Sequence, residues 1–243
     1  MEINGKRTII TGASKGIGRA IAKALASEGA DLFLTSRDEK LLSALKTELE
    51  PTESKVGFRA ADLASEKQLN MLFSSAIDFL GGIDILISNA GIGIQGNVID
   101  IEIADWEKMY DVNLGAVFLL SRLAAKEMVK QQSGYIINIG SGASQTPIAG
   151  FAGYCATKYG LLGFSESLGL ELREQNIKVS IILPGSTATY FAGGAPHDKI
   201  AAKPGILRPE DIAGSVLYLL NQGGIAWTSI LNLRPLNLKK CQP

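Results

Sequence analysis

Short apolar runs alternate with longer amphipathic stretches along almost the whole chain, and few folds accommodate that rhythm. Runs at 7–11, 31–35, 55–60, 84–88, 135–139, 179–183 and 229–233 read as strands. Helical patterns lie between them. They cover 17–28, a face of Leu41, Leu42, Leu45 and Leu49, and a face of Leu69, Leu72, Phe73 and Ala76. A long pattern follows over 105–131, marked by Trp106, Met109, Asn113, Val117, Leu120 and Met128, and then come 154–174 and 209–220. Strands that alternate with helices form βαβ units, which require parallel pairing and helices on both faces of the sheet. The expected fold class is α/β: a doubly wound three-layer sandwich around a seven-stranded, mostly parallel sheet. No interior linker, repeat or low-complexity segment divides the chain, so one domain over 1–243 is expected.

Composition removes several classes of function. Basic and acidic residues balance at 24 each, so no net field draws nucleic acid or an anionic membrane. Two cysteines, Cys155 and Cys241, make neither a disulfide framework nor a metal site. The single histidine, His197, argues against a histidine-ligated metal and against a serine–histidine hydrolase. No apolar leader precedes the first strand, and no apolar run reaches membrane-spanning length. The expectation is a cytoplasmic chain in a reducing compartment, with no metal, nucleic-acid or membrane partner.

Open α/β sheets bind ligands at the carboxyl ends of their strands. Two irregular stretches, 92–100 and 186–207, directly follow such ends, and the second is the expected substrate lid. Between the first strand and first helix stands Thr11-Gly12-Ala13-Ser14-Lys15-Gly16-Ile17-Gly18. Three glycines let the backbone turn sharply and approach a pyrophosphate, which then faces the positive end of the helix. Lys15 precedes the second glycine instead of following it, so the segment is not a P-loop. The second strand ends at Ser36 and Arg37, where an acidic residue would accept hydrogen bonds from the ribose hydroxyls of NAD. Ser36, Arg37 and Lys15 suit a 2′-phosphate instead, which points to NADP(H), although both second-strand residues also fit a solvated surface. Asp38 suits a helix N-terminus better than a cofactor contact.

Tyr154 and Lys158 are four residues apart at the start of a helical stretch and share one face. A phenol has a pKa near ~10 in water, and a neighbouring ammonium is expected to lower it, making the pair a general acid and base. Ser141 lies 13 residues before Tyr154, at the carboxyl end of the fifth strand, and so opens on the same crevice as the glycine turn.

Taken together, the glycine turn Thr11–Gly18, Asp62-Leu63, Asn89-Ala90-Gly91, Val112-Asn113, Ser141, Tyr154-x3-Lys158 and Pro184-Gly185-x3-Thr189 resemble the short-chain dehydrogenase/reductase family over nearly the whole chain. The resemblance implies a Rossmann-type, NADP(H)-dependent oxidoreductase acting on a small carbonyl or secondary alcohol. It implies Tyr154 as proton donor, Ser141 as hydrogen-bond partner of the substrate oxygen, and Lys158 on the nicotinamide ribose. Asn113 would hold a proton-relaying water, or else bend the helix as a polar core residue. Asp62, with Leu63, would reach the adenine, and Asn89, with Ala90 and Gly91, would line the adenosine side; Asp62 and Asn89 also suit turns. Thr187 and Thr189, after Pro184-Gly185, would cover the nicotinamide. Pairing through the two long helices, as homodimer or homotetramer, is a further implication.

Within the family the fifth-strand region resembles 3-oxoacyl-[acyl-carrier-protein] reductases. Gln132 and Gln175 stand where those enzymes carry carrier-docking bases, although Lys126, Lys130 and Arg173 are near. The closing segment, Ser229-Ile230-Leu231-Asn232-Leu233-Arg234-Pro235-Leu236, departs from their glycine-containing end. A third possibility is a nucleotide-binding sensor without turnover.

Overall fold

A computed structural model describes residues 2–189, 191 and 205–236. Seven strands form one sheet: β1 (Arg7–Thr11), β2 (Asp31–Ser36), β3 (Val56–Ala60), β4 (Ile85–Ser88), β5 (Gly134–Ile139), β6 (Ile177–Pro184) and β7 (Ile230–Leu233). Their order is β3-β2-β1-β4-β5-β6-β7, and every pairing is parallel. The chain winds outward through β2 and β3, then returns to lay β4 beside β1. That reversal opens a crevice above the carboxyl ends of β1 and β4, as doubly wound sheets require.

Among the described residues, seven α-helices accompany the strands: α1 (Gly16–Ser27), α2 (Glu39–Leu49), α3 (Glu66–Leu80), α4 (Ile103–Tyr110), α5 (Ala116–Gln131), α6 (Ala152–Leu172) and α7 (Pro209–Leu220). Strand residues alternate between the two faces. Ile10, Leu32, Leu34 and Ile87 bury against Ile21 and Leu25 of α1, Leu42 and Leu45 of α2, and Val216 and Leu219 of α7. Ile9, Phe33, Leu86 and Ile136 bury on the other face, against Leu69 and Leu72 of α3 and Leu120, Ala124 and Met128 of α5. Because both faces are covered, β4 is buried at every position, and its apolar run Ile85-Leu86-Ile87 follows from that.

The ends of the helices have local causes. Asp38 Oδ1 accepts from Leu41 N at 3.1 Å and caps α2, the role its position favours. Ser65 caps α3, which stops at Gly81 in the left-handed region, φ 75°. The long helix expected over 105–131 is divided: a π-helical turn, Asp111–Gly115, separates α4 from α5. Much of the expected lid, residues 190 and 192–204, lies outside the described residues, as do His197 and Cys241. Among the described residues, no helix is long and apolar enough to cross a membrane.

Candidate active site

The turn after β1 is built from main chain. Gly12 has φ +65°, and a Cβ there would stand 2.8 Å from Asn89 Nδ2 and 2.9 Å from Ala90 Cα. Gly18 is closed in more tightly, since its Cβ would collide with the Gly12 carbonyl and Asn89 Nδ2. Lys15 is the N-cap of α1 with extended backbone and no side-chain cap, and the first turn carries no acidic residue. The opening amides of α1 are thus arranged for an anion.

Asn89 holds this turn in place. Its Nδ2 donates to Thr11 O at 3.0 Å and Gly12 O at 3.2 Å. Thr11 Oγ1 accepts from the backbone N of both Asn89 and Ala90 at 3.0 Å. Asn89 therefore lines the crevice as a staple between β1 and β4, a turn-forming task its sequence position also allowed. Ser36 Oγ exchanges hydrogen bonds with the Asp38 backbone, accepting from its N at 3.2 Å. Asp62 Oδ1 accepts from Ala64 N at 3.1 Å and shapes the turn after β3.

The catalytic candidates come together at the carboxyl end of β5. Ser141 opens a short turn, Gly142–Ser144, with Oγ accepting from Ala143 N at 3.1 Å. Its hydroxyl stands near enough to the Tyr154 phenol to favour the ionised form. Tyr154 and Lys158 project from the first turns of α6 and are both buried. Lys158 Nζ donates to Ile139 O at 3.0 Å and stands 5.8 Å from the centre of the Tyr154 ring. Asn113 sits in the π turn, fully buried, with Oδ1 accepting from Ile92 N and Nδ2 donating to Ile92 O, both at 2.8 Å. It also donates to Thr157 Oγ1 at 3.0 Å, which in turn donates to Tyr154 O at 2.8 Å. Asn113 thus ties the β4 loop to the Tyr154 helix, in addition to the relay that the resemblance implies.

Electrostatics here differ from the expectation. Burial pushes the Tyr154 phenol up to about 12; the Ser141 hydroxyl opposes that rise and does not cancel it. Burial also pulls the Lys158 ammonium down to about 8. Lys158 gives one of its three N–H donors to a backbone carbonyl, and burial rather than the ammonium sets the direction of the phenol's shift. The expected lowering is corrected accordingly.

One cleft of about 1280 Å³ joins the two ends. It is lined by Gly12, Ser14, Lys15, Gly16 and Ile17 of the glycine turn and by Ser36 and Arg37 after β2. Asp62 and Leu63, then Asn89, Ala90 and Gly91, continue the wall. Ser141, Tyr154 and Lys158 stand beyond them, with Pro184, Gly185, Thr187 and Thr189 after β6. Gly18 and Asn113 lie behind this surface and support it.

The sequence reading missed part of the wall: Phe151, Phe191, Ile148 and Arg234 also line the cleft. The Phe191 ring is centred 5.2 Å from that of Tyr154, and the Phe151 ring 6.3 Å. Phe151 lies three residues before Tyr154 and was visible as a neighbour, whereas Arg234 reaches the cleft only through the pairing of β7 with β6.

Comparison with known proteins agrees with this geometry. The short chain dehydrogenase family model matches residues 6–199. The 3-oxoacyl-[acyl-carrier-protein] reductase of Aquifex aeolicus is 33% identical over 232 residues, 91% of this chain and 92% of that protein. A metagenomic short-chain oxidoreductase solved in complex with NADP shares 33% identity and a TM-score of 0.85, over 98% of this chain and 100% of that one. An alcohol dehydrogenase from Thermococcus sibiricus, complexed with 5-hydroxy-NADP, shares 27% identity and a TM-score of 0.88, over 95% and 97%. By its sheet order, its glycine turn and these matches, the chain belongs to the short-chain dehydrogenase/reductase family.

Proposed function

We propose that the chain is an NADP(H)-dependent oxidoreductase that interconverts a carbonyl compound and a secondary alcohol. The convergence of Ser141, Tyr154 and Lys158 at the carboxyl end of β5, in one cleft with the glycine turn, carries this reading. The relatives solved with NADP and 5-hydroxy-NADP support the cofactor. So does the donor set: backbone amides of Ser14 to Gly18 for a pyrophosphate, and Lys15, Ser36 and Arg37 for a 2′-phosphate. Asp62, Leu63, Asn89, Ala90 and Gly91 would hold the adenosine. Lys158, Pro184, Gly185, Thr187 and Thr189 would hold the nicotinamide half. When bound, NADP(H) supplies or accepts the hydride.

The protein supplies orientation and the proton. Ser141 hydrogen-bonds the substrate oxygen, and Tyr154 donates its phenolic proton to that oxygen. A phenol near 12 is fully protonated at neutral pH, the state a general acid needs for carbonyl reduction. Lys158, anchored on Ile139 O, fixes the face of α6 from which Tyr154 projects. The test is to mix the protein with NADPH and a panel of reactive carbonyls and follow the loss of reduced-nicotinamide absorbance. Turnover with NADPH preferred over NADH is expected. Tight NADPH binding without turnover on any member would support a sensor instead.

A second reading, 3-oxoacyl-[acyl-carrier-protein] reductase, is supported by the Aquifex relative. Weighing against it, Lys130 is paired with Glu127 at 2.7 Å, and Gln132 donates to Val129 O at 2.9 Å. Equal kcat/KM for a carrier-bound and a carrier-free acetoacetyl thioester would exclude carrier docking. Pairing with a second copy through α5 and α6 belongs to the same reading. Phe118 and Leu170 leave apolar surface there, 53% and 58% exposed. Sedimentation velocity reads the oligomeric state.

A further inference from the structure

The cleft carries more positive charge than the proposed chemistry uses. Its two acidic residues, Asp38 and Asp62, stand at the ends of β2 and β3 with Arg37. At the opposite end, over β5, β6 and β7, stand Lys158 and Arg234, with Lys108 entering the cleft from α4, and no carboxylate lines that end among the described residues. Lys158 has a task. Arg234 has none so far.

Its position follows from strand pairing. Leu233 is in register with Pro184, and Gly185 N donates to Leu233 O at 2.8 Å. Arg234 therefore leaves the sheet beside the end of β6, and its side chain runs toward the Ser141 turn. A Cβ on Gly142 would stand 2.5 Å from Arg234 Nη1, and one on Gly185 would stand 2.9 Å from Pro235 Cδ. Two glycines thus leave the room that Arg234-Pro235 occupies. The guanidinium packs against the residue next to the catalytic serine.

Its donors are largely unspent. Among the described residues the side chain has one hydrogen bond, Nη2 to the neutral Asn232 Oδ1 at 3.4 Å, and no carboxylate pairs with it. A guanidinium presents five donors in a planar fork matched to carboxylate and phosphate oxygens. Ile148, Phe151, Phe191 and Ile206 give this end apolar wall, beside the hydroxyls of Thr146, Ser186, Thr187 and Thr189. Resting on the oxidoreductase reading above, the structure assigns Arg234 as a specificity residue that binds an anionic oxygen group on the substrate. The substrate is a carbonyl compound or secondary alcohol with an apolar body and a carboxylate or phosphate. That group lies close to the reacting carbon, since its partner adjoins Ser141.

The experiment compares anionic substrates with their neutral twins on the NADPH-loaded protein. The pairs are 4-phenyl-2-oxobutanoate with its ethyl ester, and dihydroxyacetone phosphate with dihydroxyacetone. Wild type is expected to favour one anionic member by at least about tenfold in kcat/KM, the scale of a hydrogen bond to a charged group at a partly solvated site. The favoured pair identifies carboxylate or phosphate. Arg234→Gln erases the preference while kcat/KM for the neutral twin and the NADPH Kd stay within about threefold, and Arg234→Lys restores part of it. Added salt raises KM for the anionic member alone. A wild type that treats the twins alike, or an Arg234→Gln loss shared by both twins or seen in NADPH binding, overturns the assignment. If neutral carbonyls turn over without an anionic preference, this inference alone fails. If nothing on the panel turns over, the oxidoreductase reading fails with it.

Discussion

At the β1–β4 end of the cleft the working surface is main chain: glycines at 12, 16 and 18, the uncapped amides of α1, and Asn89 bonded to two backbone carbonyls. At the β5–α6 end it is side chain: Ser141, Tyr154 and Lys158, each buried or bonded so that its position is fixed. A backbone surface suits a ligand recognised by phosphates and ribose, because amides fit an anion whatever the rest of the molecule is. A side-chain surface can tune acidity and select a substrate. The two ends should therefore respond separately to mutation. One should govern occupancy, the other turnover.

The largest separation is expected from Tyr154→Phe, which removes the proposed proton donor and keeps the ring packing with Phe151 and Phe191. Turnover should fall by about 10²–10⁴-fold, the usual worth of a positioned general acid. NADPH affinity, read by fluorescence titration, should barely move. Unchanged turnover would sink the assignment of Tyr154.

Arg37→Asp acts on the other end. It should reduce the NADPH-over-NADH preference by about 10- to 100-fold, the loss of charge-assisted bonds plus added repulsion. Neutral-twin turnover at saturating cofactor should hold. Equal affinity of the wild type for both cofactors would break this side of the comparison.

Asn89→Ala removes the two side-chain bonds across the β1–β4 seam, to Thr11 O and Gly12 O, at a cost of about 1–3 kcal/mol. Thermal unfolding should register it. NADPH Kd should rise alongside, whereas Ser141→Ala should change turnover alone. If Asn89→Ala lowers kcat at saturating cofactor as strongly as Ser141→Ala does, the two ends are not separable.

The most gradual effect concerns pH. Lys158 sits near 8 in the fold against 10.5 when solvated, so the unfolded chain holds a proton that the folded chain has released between those values. Stability of the nucleotide-free protein should consequently rise with pH across this window, by at most about 3 kcal/mol at 1.4 kcal/mol per unit. Tyr154 has the opposite sign, but only above pH 10, where the folded phenol keeps a proton that the unfolded one loses. The interval from pH 8 to 10 isolates the amine. The wild-type melting temperature should rise relative to that of Lys158→Met there as pH increases. Parallel curves would mean that the amine is solvated.

Much of this architecture was legible in the sequence. The limits of β1 and α7 coincide with the expected ones, since a short apolar run and a Pro at the first helical position are local signals. That Ser141, Tyr154 and Lys158 share one cleft was legible because strand ends and i, i+4 spacing are local too. What escaped depends on distant contacts. Arg234 enters the cleft through β6–β7 register, and the direction of the Tyr154 shift follows from burial, which neighbours in sequence do not reveal. The π turn escaped for a different reason. Met109, Asn113, Val117 and Leu120 keep three- and four-residue steps that an unbroken helix would also give, and all four are buried.

That wide turn has a consequence for how the chain tolerates change in length. Ala116 N reaches back to Asp111 O, one residue farther than an α-helix allows. Deleting a single residue here would heal the helix and rotate everything upstream by about 100°. Met109 and Trp106, which now crowd Gly153 beside Tyr154, would swing off that helix, and Asn113 would release Ile92. Surface loops usually absorb indels, but this helix interior cannot lose even one residue without dismantling the wall behind the phenol.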